Sequence, residues 1–348
     1  MAGFRALAGG LFLSAVFVFA ASPMAAACTG AQPDADKKVL LADVARSAKG
    51  IVAVGDGGSV RLEDPQTGEI CVVHTQTKLF LTSVDFPTPD KGWIVGYGGV
   101  VLHSDDGGAS WRTQVSPSDS TESQPLFSVR FVDEMRGVAV GAYGTMMITR
   151  DGGATWTRSE IKDKEGNAES RHIYALIRDG AGGLIAIGES GEPNDDLSIT
   201  VPALLYRSTD GGETWLPLNS PYHGTLFGGL SLGGGRLLVF GLRGHLFSSD
   251  DEGLSWHAIN TGTTASFFGA LQVAQDSALI FGSEGTMLRY HWGANTAERV
   301  VTGDGVIRDY SAGLYLTDRG RAIIVGNGGL QTFGAGQLGM AELSPKNP

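Results

Sequence analysis

Short apolar runs separated by polar, Gly-rich segments fill this chain, and one of them returns at a nearly fixed spacing. An apolar residue followed by Gly, with another Gly three positions on, occurs as Val54-Gly55, Val95-Gly96, Val140-Gly141, Ile187-Gly188, Phe240-Gly241, Phe281-Gly282 and Val325-Gly326. The first glycines stand 41, 45, 47, 53, 41 and 44 residues apart, which is the period of a four-stranded propeller blade. Around the second copy, Leu81 to Phe86 alternates apolar with polar, Trp93 to Gly96 is a short apolar run, Val100 to His103 precedes a turn, and Trp111 opens a further run. Runs of period two bounded by Gly, Pro, Asp and Ser predict strands, and outside the N-terminal segment no stretch has the length and periodicity of an amphipathic helix. The pattern predicts an all-β fold, a seven-bladed β-propeller of four-stranded blades, closed into a ring that leaves no long hydrogen-bonding edge exposed.

Four copies carry a second signature after the third strand. Ser104 to Trp111, Thr149 to Trp156, Ser208 to Trp215 and Ser249 to Trp256 all read S/T-x-D-x-G-x-S/T-W, the Asp-box. The residue types predict a hairpin in which Asp106, Asp151, Asp210 or Asp251 accepts backbone N–H groups of its own turn and Gly takes the left-handed position. Trp111, Trp156, Trp215 and Trp256 then leave the turn and bury their rings between sheets. Such turns lie on the rim, one per blade, pointing away from one another. They therefore read as structural and not as a catalytic or calcium-binding row.

The phrase from Val140 to Trp156 resembles the BNR-repeat propellers related to the photosystem II stability and assembly factor, and the resemblance runs from Val39 to about Phe333. Phototrophic members are seven-bladed, exported, non-enzymatic factors that help to assemble a membrane complex. The resemblance, to a member from a non-photosynthetic bacterium, implies an assembly, stability or accessory factor that binds a membrane protein or membrane complex and uses no cofactor. It offers exporters of the resistance-nodulation-division type as a partner class. The basic patch of phototrophic members has no residue-by-residue counterpart in this acidic chain.

The alternative is a sialidase-like or other glycoside hydrolase, or a carbohydrate-binding propeller, because Asp-boxes occur there too. No Arg here is followed by Ile-Pro or Leu-Pro, and sialidases have six blades where this pattern counts seven. Two suitably spaced carboxylates are all that glycosidase chemistry needs, yet the fold by itself assigns none. The reading is therefore no enzyme.

Charge and cysteine content narrow the setting. Arg5 precedes an uncharged run from Ala6 to Ala21, and Ala25, Ala26 and Ala27 follow. This is a secretory signal with an A-x-A cleavage site, so residues 1–27 read as a signal peptide, 28–38 as an extension, 39–340 as one propeller and 341–348 as a tail. The expected location is the periplasm. The formal charge of −11 becomes −12 without Arg5, which disfavours nucleic acid as a partner. Cys28 and Cys71 are the two cysteines and the candidate disulfide pair of an exported chain. A lipid anchor on Cys28 is the less favoured alternative, since Ala25 stands where lipoprotein signals usually have Leu. The seven histidines are scattered singly, so no metal site is expected. A monomer is expected.

Topology locates the candidate binding face. With the first strand of each blade innermost, the turns between second and third strands rise on one face and the Asp-box turns lie on the other. The former turns bring Asp56, Tyr97, Tyr143, Glu189, Arg243, Glu284 and Asn327 around the mouth of the central channel. The longest interval places an insertion in the fourth blade, from Glu189 to Pro202, made acidic by Glu189, Glu192, Asp195 and Asp196. Long loops on a rigid scaffold are common recognition sites.

Overall fold

The computed structural model describes residues 32–33, 39–64, 67–116, 123–163, 165–191, 201–301, 309–316 and 320–338. Within them, seven antiparallel sheets follow one another along the chain as the blades of a seven-bladed β-propeller. The first strands, Leu41–Arg46, Leu81–Asp85, Leu126–Phe131, Ile173–Arg178, Leu226–Gly233, Phe267–Ala274 and Tyr310–Leu316, ring a central channel, each beside the next and the seventh beside the first. Each sheet then runs outward in chain order. The second blade, Leu81–Asp85, Gly92–Gly96, Val101–Ser104 and Arg112–Val115, lies within a residue of the runs read from the sequence.

Two blades depart from four strands. Blade 1 gains a fifth, Gln32–Pro33, paired antiparallel with Ile70–Val73, so part of the segment read as an extension joins the sheet. Blade 7 shows three among the described residues, because the chain turns after Gly329–Gly334 and carries Leu338 into the core. Cys71, in the outer strand of blade 1, is buried and disulfide-bonded. Its expected partner Cys28, the signal segment and the 341–348 tail lie outside the described residues.

Apolar packing is divided into seven layers, one between each pair of neighbouring blades. Second strands such as Ile51–Gly55, Gly137–Gly141 and Leu184–Gly188 are buried at every position. A blade covers each of their faces, which is why they read as continuous apolar runs while the first strands alternate. Between blades 2 and 3, Trp93 stacks on Phe131 with ring centroids 3.9 Å apart. Between blades 7 and 1 the same kind of layer forms from Leu41, Val44, Ile51, Leu316, Ile323 and Val325. A buried ion pair, Arg321 Nη2 to Glu63 Oε1 at 2.8 Å, spans that closure.

One backbone contact recurs in every blade. A Cβ on Gly55, Gly96, Gly141, Gly188, Gly241, Gly282 or Gly326 would stand only 1.9–2.3 Å from the carbonyl oxygen of the residue before the first strand. These glycines are extended, with φ −178° at Gly55 and −171° at Gly96, so space and not left-handed backbone demands glycine. The same carbonyl, that of Leu40, Phe80, Pro125, His172, Thr225, Ser266 or Asp309, accepts the N–H of the residue after the glycine at 2.9–3.1 Å. Because the glycine pairs with the first residue of the inner strand and its predecessor pairs with the third, the second residue is left over as a bulge.

The four box turns are alike bond for bond. In the blade 3 turn, Thr149 Oγ1 donates to Asp151 Oδ1 at 2.8 Å, the Thr155 amide donates to the same oxygen at 2.9 Å, Thr155 Oγ1 donates to Oδ2 at 2.6 Å, and the Gly153 amide donates to Thr149 Oγ1 at 2.8 Å. Asp106, Asp210 and Asp251 are held in the same way. The Trp111 and Trp215 rings are buried and their indole N–H groups donate to the carbonyls of Gly108 and Gly212, whereas Trp156 and Trp256 are half-buried. Ion pairs tie neighbouring turns together, Arg150 with Glu213 at 2.6 Å and Arg207 with Glu252.

Two outcomes follow from this architecture. Gly141→Ala forces the Pro125 carbonyl out of place and is expected to cost at least the 1–3 kcal/mol typical of overpacking, roughly, read as a lower urea midpoint with an unchanged slope. The second concerns acid. The Ser255 hydroxyl and amide and the Ser249 hydroxyl hold the Asp251 carboxyl at about 2; burial opposes but does not outweigh the matching bonds from Thr214 that hold Asp210 at about 2. A carboxyl depressed in the native state contributes stability that is complete above its unfolded value, about 4, and is lost as pH falls toward 2. Asp251→Asn should therefore melt lower than wild type at neutral pH and lose less of its melting temperature between pH 4 and pH 2.

Candidate functional site

The bulge turns the second residue of each first strand toward the channel, and the blades differ in what they place there. Blades 1, 2 and 7 place Ala42, Thr82 and Ser311, and blades 3 to 6 place Phe127, Tyr174, Phe227 and Phe268. The four aromatic rings touch in sequence: Phe127 to Tyr174 with centroids 5.6 Å apart, Tyr174 to Phe227 at 5.4 Å, and Phe227 to Phe268 at 5.4 Å. Their free edge continues onto the face of the second-to-third-strand turns. Phe80 meets Tyr97 at 5.5 Å, Tyr97 meets Phe127 at 6.5 Å, and His172 lies 6.1 Å from Phe127 and 4.6 Å from Tyr143. An unbroken aromatic belt thus crosses blades 2 to 6 at the mouth. Tyr97 is 45% exposed and Tyr143 66%.

Of the residues read from the sequence, Tyr97 and Tyr143 enter this belt, and Glu189 joins it through His172, whose backbone N–H donates to Glu189 Oε2 at 3.0 Å. Asp56, Arg243, Glu284 and Asn327 stand exposed on their own turns around the rim, separate from the belt. Glu192, Asp195 and Asp196 lie outside the described residues. The sequence reading missed Phe80 and His172, and with them Phe127, Tyr174, Phe227 and Phe268. Their signal was present: Leu126-Phe127, Ile173-Tyr174, Leu226-Phe227 and Phe267-Phe268 are paired apolar residues where an alternating strand should have a polar one.

Three turn residues hold a backbone conformation that L side chains rarely adopt. Tyr143, Arg243 and Glu284 have φ of 53°, 56° and 59° at the position that Gly57 and Gly98 fill in blades 1 and 2. Each is anchored by the next blade: the Tyr143 amide donates to His172 Nδ1 at 3.2 Å, that of Arg243 to Ser266 Oγ at 3.3 Å, and that of Glu284 to Asp309 Oδ1 at 2.9 Å. The side chains of Arg243 and Glu284 make no hydrogen bond or ion pair among the described residues. Holding a non-glycine residue left-handed costs about 1–2 kcal/mol, and such strain tends to collect where a side chain is used.

A half-buried network fixes the base of the blade 4 insertion. Arg171 pairs with both carboxylate oxygens of Glu169 at 2.6 and 2.8 Å and donates to the Pro202 carbonyl at 2.9 Å. Burial works to raise the Glu169 carboxyl, but the bonds and charge of Arg171 outweigh it and hold the carboxyl below its usual range. Arg171 Nη1 also reaches the Glu189 carbonyl at 3.4 Å, so both ends of the insertion are tied to one guanidinium.

Behind the belt lies a cavity of about 230 Å³ bordered by all seven first strands. Its charged groups, Asp43 and Arg130, face each other: Asp43 Oδ2 accepts from Ser83 Oγ at 2.8 Å and from the Val84 amide at 3.0 Å, with Arg130 Nη1 3.7 Å away. Outside the lining, at the far ends of the first strands, Arg178 Nη2 stands 2.6 Å from Asp85 Oδ2. No group of three His, Cys, Asp or Glu placed to hold a metal ion occurs among the described residues.

Fold and site together define a rigid seven-bladed propeller with an aromatic-lined mouth. Several solved structures are similar to it in fold. "YCF48 bound to D1 peptide" matches with a TM-score of 0.65 and 18% identity over 85% of this chain and 91% of that one. "YCF48 from Cyanidioschyzon merolae" matches with a TM-score of 0.67 and 17% identity over 88% and 98%. The WD40 propeller domain of Doa1 reaches a TM-score of 0.62 at 12% identity over 87% and 96%. At such identities the likeness is one of fold. No protein-family model and no curated protein matches the chain.

The strain at Tyr143 is testable without a partner. Tyr143→Gly is expected to keep wild-type stability within about 0.5 kcal/mol, as relief of the left-handed strain offsets added chain entropy. A β-branched residue cannot take that conformation cheaply, so Tyr143→Val should lose about 1–3 kcal/mol. Urea unfolding of the two variants side by side checks the order.

Proposed function

We propose that this chain is an exported, non-catalytic propeller that binds a protein partner through the aromatic mouth and serves as an assembly, stability or accessory factor for a membrane protein complex. The observation that carries the reading is the belt from Phe80 to Phe268, with Tyr143 kept exposed at a conformational cost. Exposed aromatic side chains on a rigid frame give contact area with little ordering entropy, as recognition surfaces require. A structure of the same fold carries a peptide of D1, which supports a polypeptide as the occupant here. Among the described residues, carboxylates in the box turns are satisfied by their own loops, and Asp43 and Asp85 at the channel by neighbouring backbone and arginines, so neither set is free for acid and base work.

Export is inferred from the Arg5 and Ala6 to Ala27 pattern, and a disulfide-bonded Cys71 suits an oxidising compartment. Cys28 is the only other cysteine. A bridge between the two and acylation of Cys28 are mutually exclusive, so intact mass under non-reducing conditions distinguishes them.

Affinity capture from detergent-solubilised membranes tests the binding face. A triple variant, Tyr97→Ser, Tyr143→Gly and Phe268→Ser, should lose the captured complex, while Met135→Ser with Leu254→Ser, on the box face, should keep it. Capture that survives the first variant, or fails with the second, places the partner elsewhere.

A further inference from the structure

The mouth has a sign as well as a shape. Among the described residues, Asp56, Glu189, Glu284 and Asp309 place four carboxylates on the turns and inner-strand approaches of this face, against the exposed cations Arg243 and Lys78. Deeper in, Arg130 and Arg178 are matched by Asp43 and Asp85, so the channel adds no net positive charge to oppose the rim. Between rim and floor, one wall is four aromatic rings, and the facing wall is small: Ala42, Thr82 and Ser311. The asymmetry leaves about 230 Å³ of space beside the rings. That volume suits one long side chain and is too narrow for a helix about 10 Å across.

A π-lined cavity beneath carboxylates favours a cation that can lose water. A guanidinium fits better than an ammonium: it is less strongly hydrated, it stacks flat on aromatic rings and it donates in a planar fork to carboxylates and carbonyls. Resting on the reading of this face as the partner site, we propose that the aromatic crescent of Phe127, Tyr174, Phe227 and Phe268 receives an arginine side chain carried on an extended segment of the partner. The rim carboxylates steer the segment in, and the cavity takes the one side chain.

The probes are two peptides that differ in charge alone, acetyl-Gly-Gly-Arg-Gly-Gly-amide and its citrulline counterpart, titrated into the whole mature protein and followed by NMR of the aromatic rings. The arginine peptide should shift the Tyr174 and Phe227 resonances and bind about ten-fold more tightly than the citrulline peptide. Tyr174→Leu with Phe227→Leu should abolish that preference. In case that pair disturbs the inner ring, Asp56→Asn with Glu284→Gln alters exposed side chains only and should weaken the arginine peptide, with little effect on the neutral one. Equal binding of both peptides, shifts confined to the rim, or no binding at millimolar concentration would overturn the proposal. Loss of capture by the mouth variant with indistinguishable peptides would leave the protein-binding reading standing and remove the arginine.

Discussion

A carbonyl oxygen lodged where a side chain would otherwise be is the contact on which this molecule's geometry rests. In each blade the residue before the first strand points its carbonyl at a glycine that ends the second strand, close enough that any Cβ would collide. The contact does two things at once. It starts the turn to the third strand by accepting the next amide, and it forces a bulge that leaves one inner-strand residue unpaired in register. Scaffold and site are therefore consequences of a single contact: the glycine that closes the blade also aims a side chain into the channel.

Seven blades that share one inner-strand register make an unequal mouth because the bulged position is free of packing duty. Residues on either side of it are committed, the first to an inter-blade layer and the third to the inner ring. Asp43, Ser83 and Ser128 at the third position accept amides of the next blade's first strand, whereas a Cβ on Gly228 or Gly269 would meet the Phe240 or Phe281 ring of its own blade at 2.9 or 2.4 Å. The bulged residue alone can vary from Ala42 to Tyr174 without breaking a layer or a ladder. Variation confined to one register, over four consecutive blades, gives the channel a crescent and not a cylinder.

The repeat made the fold legible in the sequence: a glycine that must lack a Cβ recurs wherever the carbonyl does, and Trp111 or Asp151 marks a turn whose Asp carboxylate is bonded locally. Such signals need no knowledge of the neighbouring chain. The site was less legible, because it arises between blades. Tyr97 and Tyr143 announced themselves as aromatics in turns, but Phe127 and Phe227 sit inside strands and read as ordinary core until the bulge is seen. His172 and Asp309 matter through amides on other blades, 29 and 25 residues away along the chain. The additional strand at Gln32–Pro33 escaped for a related reason, since a two-residue pairing has no periodicity to detect.

The two faces use left-handed non-glycine residues differently, and the difference bears on function. On the box face, Glu252 replaces the glycine of the other turns, and its carboxylate pairs with Arg207, which also holds Asp179. The strain there is offset by a bond within the molecule, so stability accounts for the residue. On the mouth face the offset is limited to the backbone: an acceptor from the next blade takes the amide, while the Arg243 and Glu284 side chains find no hydrogen-bonding or ionic partner among the described residues, and Tyr143 only the edge of His172. Glycine in those places would release the strain, and Gly98 takes the same conformation in blade 2 with φ of 66°. A fold that needed only its own stability would be served by glycine. Strain that no bond within the described residues offsets is what a side chain used in the proposed partner contact would show, and of the three Tyr143 lies within the aromatic belt itself.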